Sequence, residues 1–471
     1  MFVSPSTPAR RPRTFAALLA AITLLAAACG GSTTTAAPAS APASSAAPAA
    51  TPAPTNAPSD GGSAATSAAP SQAAAGYTGP PVTIKYSIWG DPQEITNQTA
   101  IAEAFHAANP AITVDVDVSD WDAYWTKLQT GLAGGAAPDV FAMDGPLFPD
   151  YHARDVLLDL KPYVDKDGYD LTQLADQGVK DFTTSDGGQY ALPRDLNTIA
   201  LYYNKAMFDA AGIAYPDDTW DWAKLVATAK QLTKTDGGKT SQWGFYTETT
   251  DMENYWSELV WQNGGDIMAP DNKTTVLDTD QAAGGIQFLQ DLIWKDKVMP
   301  DPAVSAETGD AFEQGQAAMA ANGSWQVATF DAAGFAYGVA PLPSGPAGRF
   351  TSVNPTGAVV YKGSKAPDAA WEFVKYLASP PAQQQLMTLK ASIPVNKEVL
   401  AGPYSSSWEG AKVFADSLTY AKLKPSFKGY DEFTTTLQNE LDTNVFNAAN
   451  KTAKEALATV VPQLNDILAK Q

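Results

Sequence analysis

The chain has one cysteine and two histidines in 471 residues. Zinc sites draw on three or four Cys and His ligands together, so this inventory does not supply one. A lone thiol has no disulfide partner within the chain. Basic residues are also scarce, with Lys+Arg 31 against Asp+Glu 51 and a formal net charge of -20. Nucleic-acid binders need a basic footprint to neutralise phosphates, which sets that class aside. Phosphate-cradling signatures are missing as well: there is no Gly-x-x-x-x-Gly-Lys, no Gly-x-Gly-x-x-Gly after a strand, and no serine nucleophile elbow. His106 lies in a helical pattern and His152 follows a loop, and neither has a Cys or Ser at a spacing that suggests a catalytic pair. Asp165-Lys-Asp167-Gly168-Tyr-Asp170 lacks the sixth-position glycine and terminal Glu of a calcium loop, so it reads as an acidic turn. No catalytic residue, metal ligand or cofactor is assigned.

What is present is unevenly distributed. The first 76 residues carry only four charges: Arg10, Arg11, Arg13 and Asp60. The three arginines precede a small-and-apolar stretch, Thr14–Ala28, too short for a membrane span of about 20 residues. Residues 1–28 therefore read as a secretory signal peptide. The only cysteine follows in Leu25-Ala26-Ala27-Ala28-Cys29-Gly30, which resembles the bacterial lipobox, although Ala26 stands where that pattern usually has Leu. The resemblance implies cleavage before Cys29 and lipidation of its thiol, hence an exported protein held at the outer face of the cytoplasmic membrane. Residues 29–76 are Ala, Pro, Ser and Thr with little that could offset chain entropy. They read as a disordered tether with a reach of roughly 35–40 Å.

The body from Tyr77 onward holds all 12 Trp and, without the leader arginines and Asp60, 28 basic and 50 acidic residues for a net charge of -22. Strand and helix patterns alternate along it, which argues for an α/β fold. Val82–Ile88 and Ile112–Val118 alternate with period two and predict strands. Ile101–Asn109 has helical spacing, with Pro110 just beyond. Tyr190–Pro193 and Thr198–Tyr203 predict two strands, and Trp220–Leu232 a helix with Thr219 as N-cap. Ala282–Trp294, Ala369–Leu377, Glu432–Asn447 and Lys451–Leu468 predict helices, and Trp222, Trp294 and Trp371 fall on their buried faces. Many aromatics beside many carboxylates and amides suit sugar recognition, since pyranose C–H faces pack on Trp or Tyr while Asp, Glu and Asn bind hydroxyls.

Four stretches resemble the extracytoplasmic solute-binding proteins of carbohydrate ABC importers, the maltose-binding-protein-like family. They are Gly187–Lys205 with Met207-Phe208 and Ala211–Ile213; Phe312–Trp325; Tyr337–Pro343 with Gly357–Val360 and Ala370–Pro380; and Ser392–Asn396 with Pro425–Asp431. The resemblance implies a two-lobe, type II periplasmic-binding-protein-like α/β fold joined by several hinge crossings. These would lie near Pro193–Asn197, Pro341–Ser344 and Ser392. One lobe would comprise residues 77–194 and 345–390, the other 195–344 and 391–471. It also implies ligand contacts. Asp91 after the first strand either meets ligand or caps a helix, Asp144 would bind hydroxyls, and Asn197 beside Asp195 would face the ligand from the hinge. Trp325 would stack on a sugar ring, with Trp256, Tyr430 and Trp243 as further candidates. The function so implied is a monomeric lipoprotein that binds a mono- or oligosaccharide and delivers it to a transmembrane permease, without catalysis. Two alternatives stand beside it: an exported carbohydrate-active hydrolase using paired carboxylates, and the same fold holding a polyamine or other small cation.

Overall fold

The computed structural model describes residues 76–90, 92–249, 255–390 and 392–470. The expectations for the leader, the tether, Cys29 and Asp91 fall outside these residues. The strands are β1 (Val82–Trp89), β2 (Ile112–Ser119), β3 (Val140–Asp144), β4 (Ala191–Asn204), β5 (Lys234–Asp236), β6 (Lys239–Gln242), β7 (Met319–Gly323), β8 (Tyr337–Ala340), β9 (Thr351–Val360), β10 (Ile393–Pro394) and β11 (Ala421–Leu423). Helices α1 (Pro92–Ala108), α2 (Trp121–Gly134) and α3 (Phe148–Ala153) follow the first three strands. β1 pairs in parallel with β2, Val82 opposite Ile112 through Trp89 opposite Ser119, and with β3 at Tyr86 opposite Val140. The alternation in β2 works as predicted: Ile112 is buried, Val114, Val116 and Val118 are half-buried, and the intervening Thr113, Asp115 and Asp117 are exposed.

Where the sequence predicts two short strands, the structure has one strand of 14 residues, β4. Its first part pairs antiparallel with β9, from Ala191 opposite Val359 to Thr198 opposite Val353. The second part pairs with β7, Ile199 opposite Gly323 to Tyr203 opposite Met319, and with β8. Pro193 has no N–H to donate, but the ladder absorbs this by a register shift between Pro193 and Asp195 instead of ending. β10 pairs with Asp195 and Leu196, so β4, β9 and β10 meet where the sheet passes from one sector to the other. The segment around Pro341–Ser344 is tied into the second sector. Ser344 N–H donates to the Trp220 carbonyl at 2.9 Å and Gln262 Nε2 to the Phe350 carbonyl at 2.9 Å, so the chain returns to the first sector through β9.

Alternation along β4 sends Ile199, Leu201 and Tyr203 into a core with the helices Trp256–Gln262, Asp280–Trp294, Tyr430–Leu441 and Ala453–Leu468. Ala200 and Tyr202 face the other way, toward Phe312, Phe330 and Phe414. Trp371 is a core residue, as predicted. Trp222 is half-buried and stacked on Phe288 at 4.1 Å, and half-buried Trp294 donates to the Phe446 carbonyl at 3.1 Å. The helix predicted from Trp220 starts at Trp222, and its N-cap is Asp221, not Thr219: the Asp221 carboxylate accepts from Lys224 N–H at 2.8 Å. An ionised acceptor also suits the positive helix end, and the Thr219 hydroxyl instead donates to Asp217.

Arg194 is 5% exposed. Its NH1 donates to the Asp195 carboxylate and its NH2 to Glu94 Oε1 at 3.0 Å, so α1 is pinned to β4. Gln98 Nε2 donates to the same Glu94 oxygen at 2.6 Å, and Gln383 Nε2 to the Arg194 carbonyl at 2.7 Å. The turn after β3 is held differently. A Cβ on Gly145 would collide with Asp181 Oδ2, so a larger residue there would have to displace that carboxylate. That oxygen is buried without a hydrogen-bond partner, and burial pushes the Asp181 carboxyl up from 3.8 to about 7.

Two predictions follow from these buried charges. Arg194→Ala takes the cationic partner away from Glu94 and Asp195 and should lower the unfolding free energy by about 3–5 kcal/mol. The readout is a fall in denaturant midpoint at unchanged m; a loss below about 1 kcal/mol would contradict the role given to the pin. For Asp181, folded and unfolded chains are both protonated below 3.8, whereas between 3.8 and about 7 only the folded chain keeps the proton. Stability therefore falls as pH rises through that window and levels off above it. Asp181→Asn removes the penalty, so its melting temperature should gain on the parent up to about pH 7 and then run parallel. A pH-independent offset would refute this.

Candidate functional site

Two strand ends, those of β3 and β7, come close to the segment Asp195–Asn197. On β9, Thr356 lies opposite Asp144 on one side and opposite Asp195 on the other, which sets those two carboxylate residues about 10 Å apart across one strand. β7 runs back along β4 so that its last residue, Gly323, lies opposite Ile199. The chain leaving β7 consequently reaches the same place, and Ser324 Oγ donates to Asn197 Oδ1 at 2.8 Å. Asn197 Nδ2 in turn donates to Asp195 Oδ1 at 3.0 Å. A continuous polar chain thus runs from Glu94 through Arg194, Asp195 and Asn197 to Ser324. It ends beside Trp325, whose half-buried ring folds back over Gly323, where a Cβ would strike it.

The structure therefore ties Asp195, Asn197 and, through Ser324, Trp325 to one another, and sets Asp144 across β9 from Asp195. Their environments differ: Asp144 and Asp195 are buried, Asn197 and Trp325 half-buried. Both Asp195 oxygens are engaged by Arg194 and Asn197. Trp256 sits apart from this group, 1% exposed in the core that Tyr255, Leu259 and Ile286 share. Trp243 pairs through its backbone with Ala317, beyond the start of β7, whereas Trp325 follows its end roughly 20 Å along the strand.

Tyr430 lines a cleft of about 510 Å³ between α2, α3 and the helix Tyr430–Leu441. Trp121, Trp125 and Tyr151 form one wall, and Tyr430, Thr434 and Gln438 the other. Leu147, three residues beyond Asp144, also borders it, so the cleft opens next to the strand-end group. Trp89 at the end of β1 supports the aromatic wall, its ring 5.0 Å from Trp121 and 5.7 Å from Trp125. In the sequence, Trp121, Tyr124 and Trp125 fall on one helical stripe and look like core. The signal that separates them is position: Trp121 opens the helix, where a side chain has no preceding turn to cover it. Arg194 and Ser324 lie within the stretches that carry the family resemblance, but their bonds to Glu94 and Asn197 join residues about 100 or more apart in the chain and leave no local signal. An aromatic ring beside a carboxylate and an amide can hold a polyhydroxyl solute by stacking and hydrogen bonding.

Comparison with known proteins bears on the family and the fold. Residues 89–384 match the family profile described as bacterial extracellular solute-binding protein. A putative binding protein of Brucella abortus is 26% identical over 352 residues, 72% of this chain and 82% of the relative. The maltotriose-binding protein of Pyrococcus abyssi is 26% identical over 72% of this chain and 73% of its own length. Among solved structures, an ABC substrate-binding protein of Listeria monocytogenes in complex with cycloalternan superposes with a TM-score of 0.76 at 28% identity, covering 82% of this chain and 99% of that one. The fold is accordingly the two-lobe α/β fold of these proteins, and the chain belongs to the bacterial extracellular solute-binding proteins.

Proposed function

We propose that this protein is the substrate-binding lipoprotein of an ABC importer, which takes up a mono- or oligosaccharide in the cleft between its lobes and delivers it unchanged to the permease. The observation that carries the proposal is that Asn197 is bonded to Ser324, next to Trp325, where β4 passes between the two sheet sectors, with Asp144 across β9 from Asp195. Trp325 supplies a stacking face, while Asp144 and Asn197 supply hydroxyl partners; both kinds of contact suit a sugar. The relatives named above, one binding maltotriose and one solved with cycloalternan, support the same solute class. Asp195 acts at one remove, by holding Asn197. Tyr430 contributes from the cleft wall, and Asp91 is a further hydroxyl partner in this proposal.

Residues 77–194 and 195–344 form the bulk of the two lobes, and the return crossing is placed in β9. A ligand touching both lobes favours the closed form over the open one, and the closed form docks on the permease. Lipidated Cys29 and the tether keep the monomeric body at the outer face of the cytoplasmic membrane. No bond is made or broken, so solute leaves as it arrived.

A thermal-shift screen of sugars against polyamines tests this. A true sugar ligand at about 100 times its Kd should add about 2.7 kcal/mol of stability, and chromatography should recover it intact. Trp325→Ala should weaken that sugar about tenfold or more, a loss of about 1.4 kcal/mol. A shift with polyamines and none with sugars, or hydrolysis of excess sugar, would overturn the proposal.

A further inference from the structure

Two cationic side chains are buried among the described residues, Arg194 and Lys424. Arg194 is bonded to two carboxylates, whereas Lys424, 4% exposed, has no hydrogen-bond partner at its Nζ. A buried ammonium is costly unless it is paired, and strand register puts this one at the solute site. β11 runs parallel to β9 and ends with Leu423 opposite Val353; β3 runs the other way along the same edge and ends with Asp144 opposite Thr356. The two ends face each other across Asn354 and Pro355. Lys424 follows Leu423 and so lies beside Asn354, whose partner on the far side of β9 is Asn197. Its backbone stands roughly 7 Å from Asp144 along the edge and roughly 10 Å from Asn197 across the sheet. Alternation turns Asn354, Asp144 and Asn197 to one face, and Lys424, two residues on from Lys422 opposite Ser352, joins them. Glu258 reaches that face as well, but its two oxygens already accept from Ser352 N–H at 2.9 Å and Ser257 Oγ at 2.8 Å. Asn354 Oδ1 is a second buried polar atom there without a partner.

We infer that Lys424 is a ligand-contacting residue that selects a sugar carrying an anionic group, a carboxylate or a phosphate. The inference rests on the sugar-binding proposal above and names the class of solute for that same site. A neutral hydroxyl can accept from the ammonium but leaves its charge unmatched; an anion does both, through a charge-assisted bond. A hydroxyl next to the acid group supplies the proton that Asn354 Oδ1 lacks, while Asp144 and Asn197 take hydroxyls further round the ring. A polyamine meets the same ammonium as a like charge, which disfavours it. The body is acidic overall, yet its distant charges are screened beyond about 8 Å at physiological ionic strength, whereas contact with a buried ammonium is screened far less.

Calorimetry on the full-length chain tests it with three sets of probes: glucose, galactose and their trimers; glucuronate, galacturonate and trigalacturonate; and the 6-phosphates of glucose and galactose. The acid form of the sugar that binds should be at least about tenfold tighter than its neutral counterpart, the equivalent of one good contact, and the uronate and phosphate arms tell which acid group is read. Lys424→Met, of similar length and without charge, should erase that preference, and Lys424→Arg should keep it. Without solute, the melting temperature of Lys424→Met should not fall, because the variant removes an unpaired buried charge; a fall would assign the lysine to the framework and overturn the inference. Neutral sugars bound as tightly as the acids, or an acid preference that survives Lys424→Met, would overturn it too while leaving sugar binding standing. Binding of none of the probes would overturn both.

Discussion

Strand β4 belongs to two sheet sectors at once, and the residues at which it passes between them must be held without water. They are polar: Arg194, Asp195 and Thr198 on β4, Asn354 and Thr356 on β9, and Ser392 before β10 are all buried. Burying such groups is costly unless they are bonded, so the passage is stable only because Glu94, Gln98 and Gln383 reach in from helices to complete it. Arg194 is the centre of this arrangement, since it bonds two carboxylates and its carbonyl also accepts from Gln383. Satisfaction is nevertheless incomplete around it. Ser352 Oγ, Asn354 Oδ1, Ser392 Oγ and Lys424 Nζ have no hydrogen-bond partner. A junction made of hydrogen bonds that can be exchanged, with some of them unmade, moves at lower cost than one made of interlocked apolar side chains.

The recognition chemistry is built onto that junction. Asn197 is bonded to Asp195 on one side and Ser324 on the other, which fixes its amide before any solute arrives. Trp325 follows Ser324 directly and is braced by Gly323. On the first sector, the Gly145 turn carries Asp144 and is itself gripped: Ser426 Oγ donates to the Gly145 carbonyl at 3.0 Å and Gly429 N–H to Asp150 Oδ1 at 2.8 Å. These two bonds run to the segment that leads into the helix Tyr430–Leu441, so the cleft wall and the strand-end group are mechanically one unit. Pre-organised polar partners and a braced ring lower the ordering cost of binding.

Much of the framework is legible in the sequence because it depends on local period. β1 and β2 alternate, the long helices carry apolar stripes, and Pro110 marks an end. β4 is not legible as one strand, since Pro193 and the polar Arg-Asp-Leu-Asn run resemble a break. Only β9, some 160 residues later, supplies the partners that keep it extended. Thr219 and Asp221 are both acceptable caps, and the choice is made by where the helix packs. Trp325 is the stronger ligand-contact candidate in the sequence and Trp256 a further one, and burial of Trp256 in a core helix sets it apart from Trp325 after a strand end. The cleft wall is the least visible feature, because an i, i+3, i+4 set of aromatics at Trp121, Tyr124 and Trp125 spells core until the facing helix is in view.

The most direct measurement is a crystal structure of the body with the sugar that stabilises it. The ring nearest the junction should lie on the Trp325 face, with hydroxyls on the Asn197 amide and the Asp144 carboxylate and with both lobes in contact. Sugar bound elsewhere, for instance in the shallow groove beside Gln290, Trp294 and Lys451, with Trp325 untouched, would contradict the central claim.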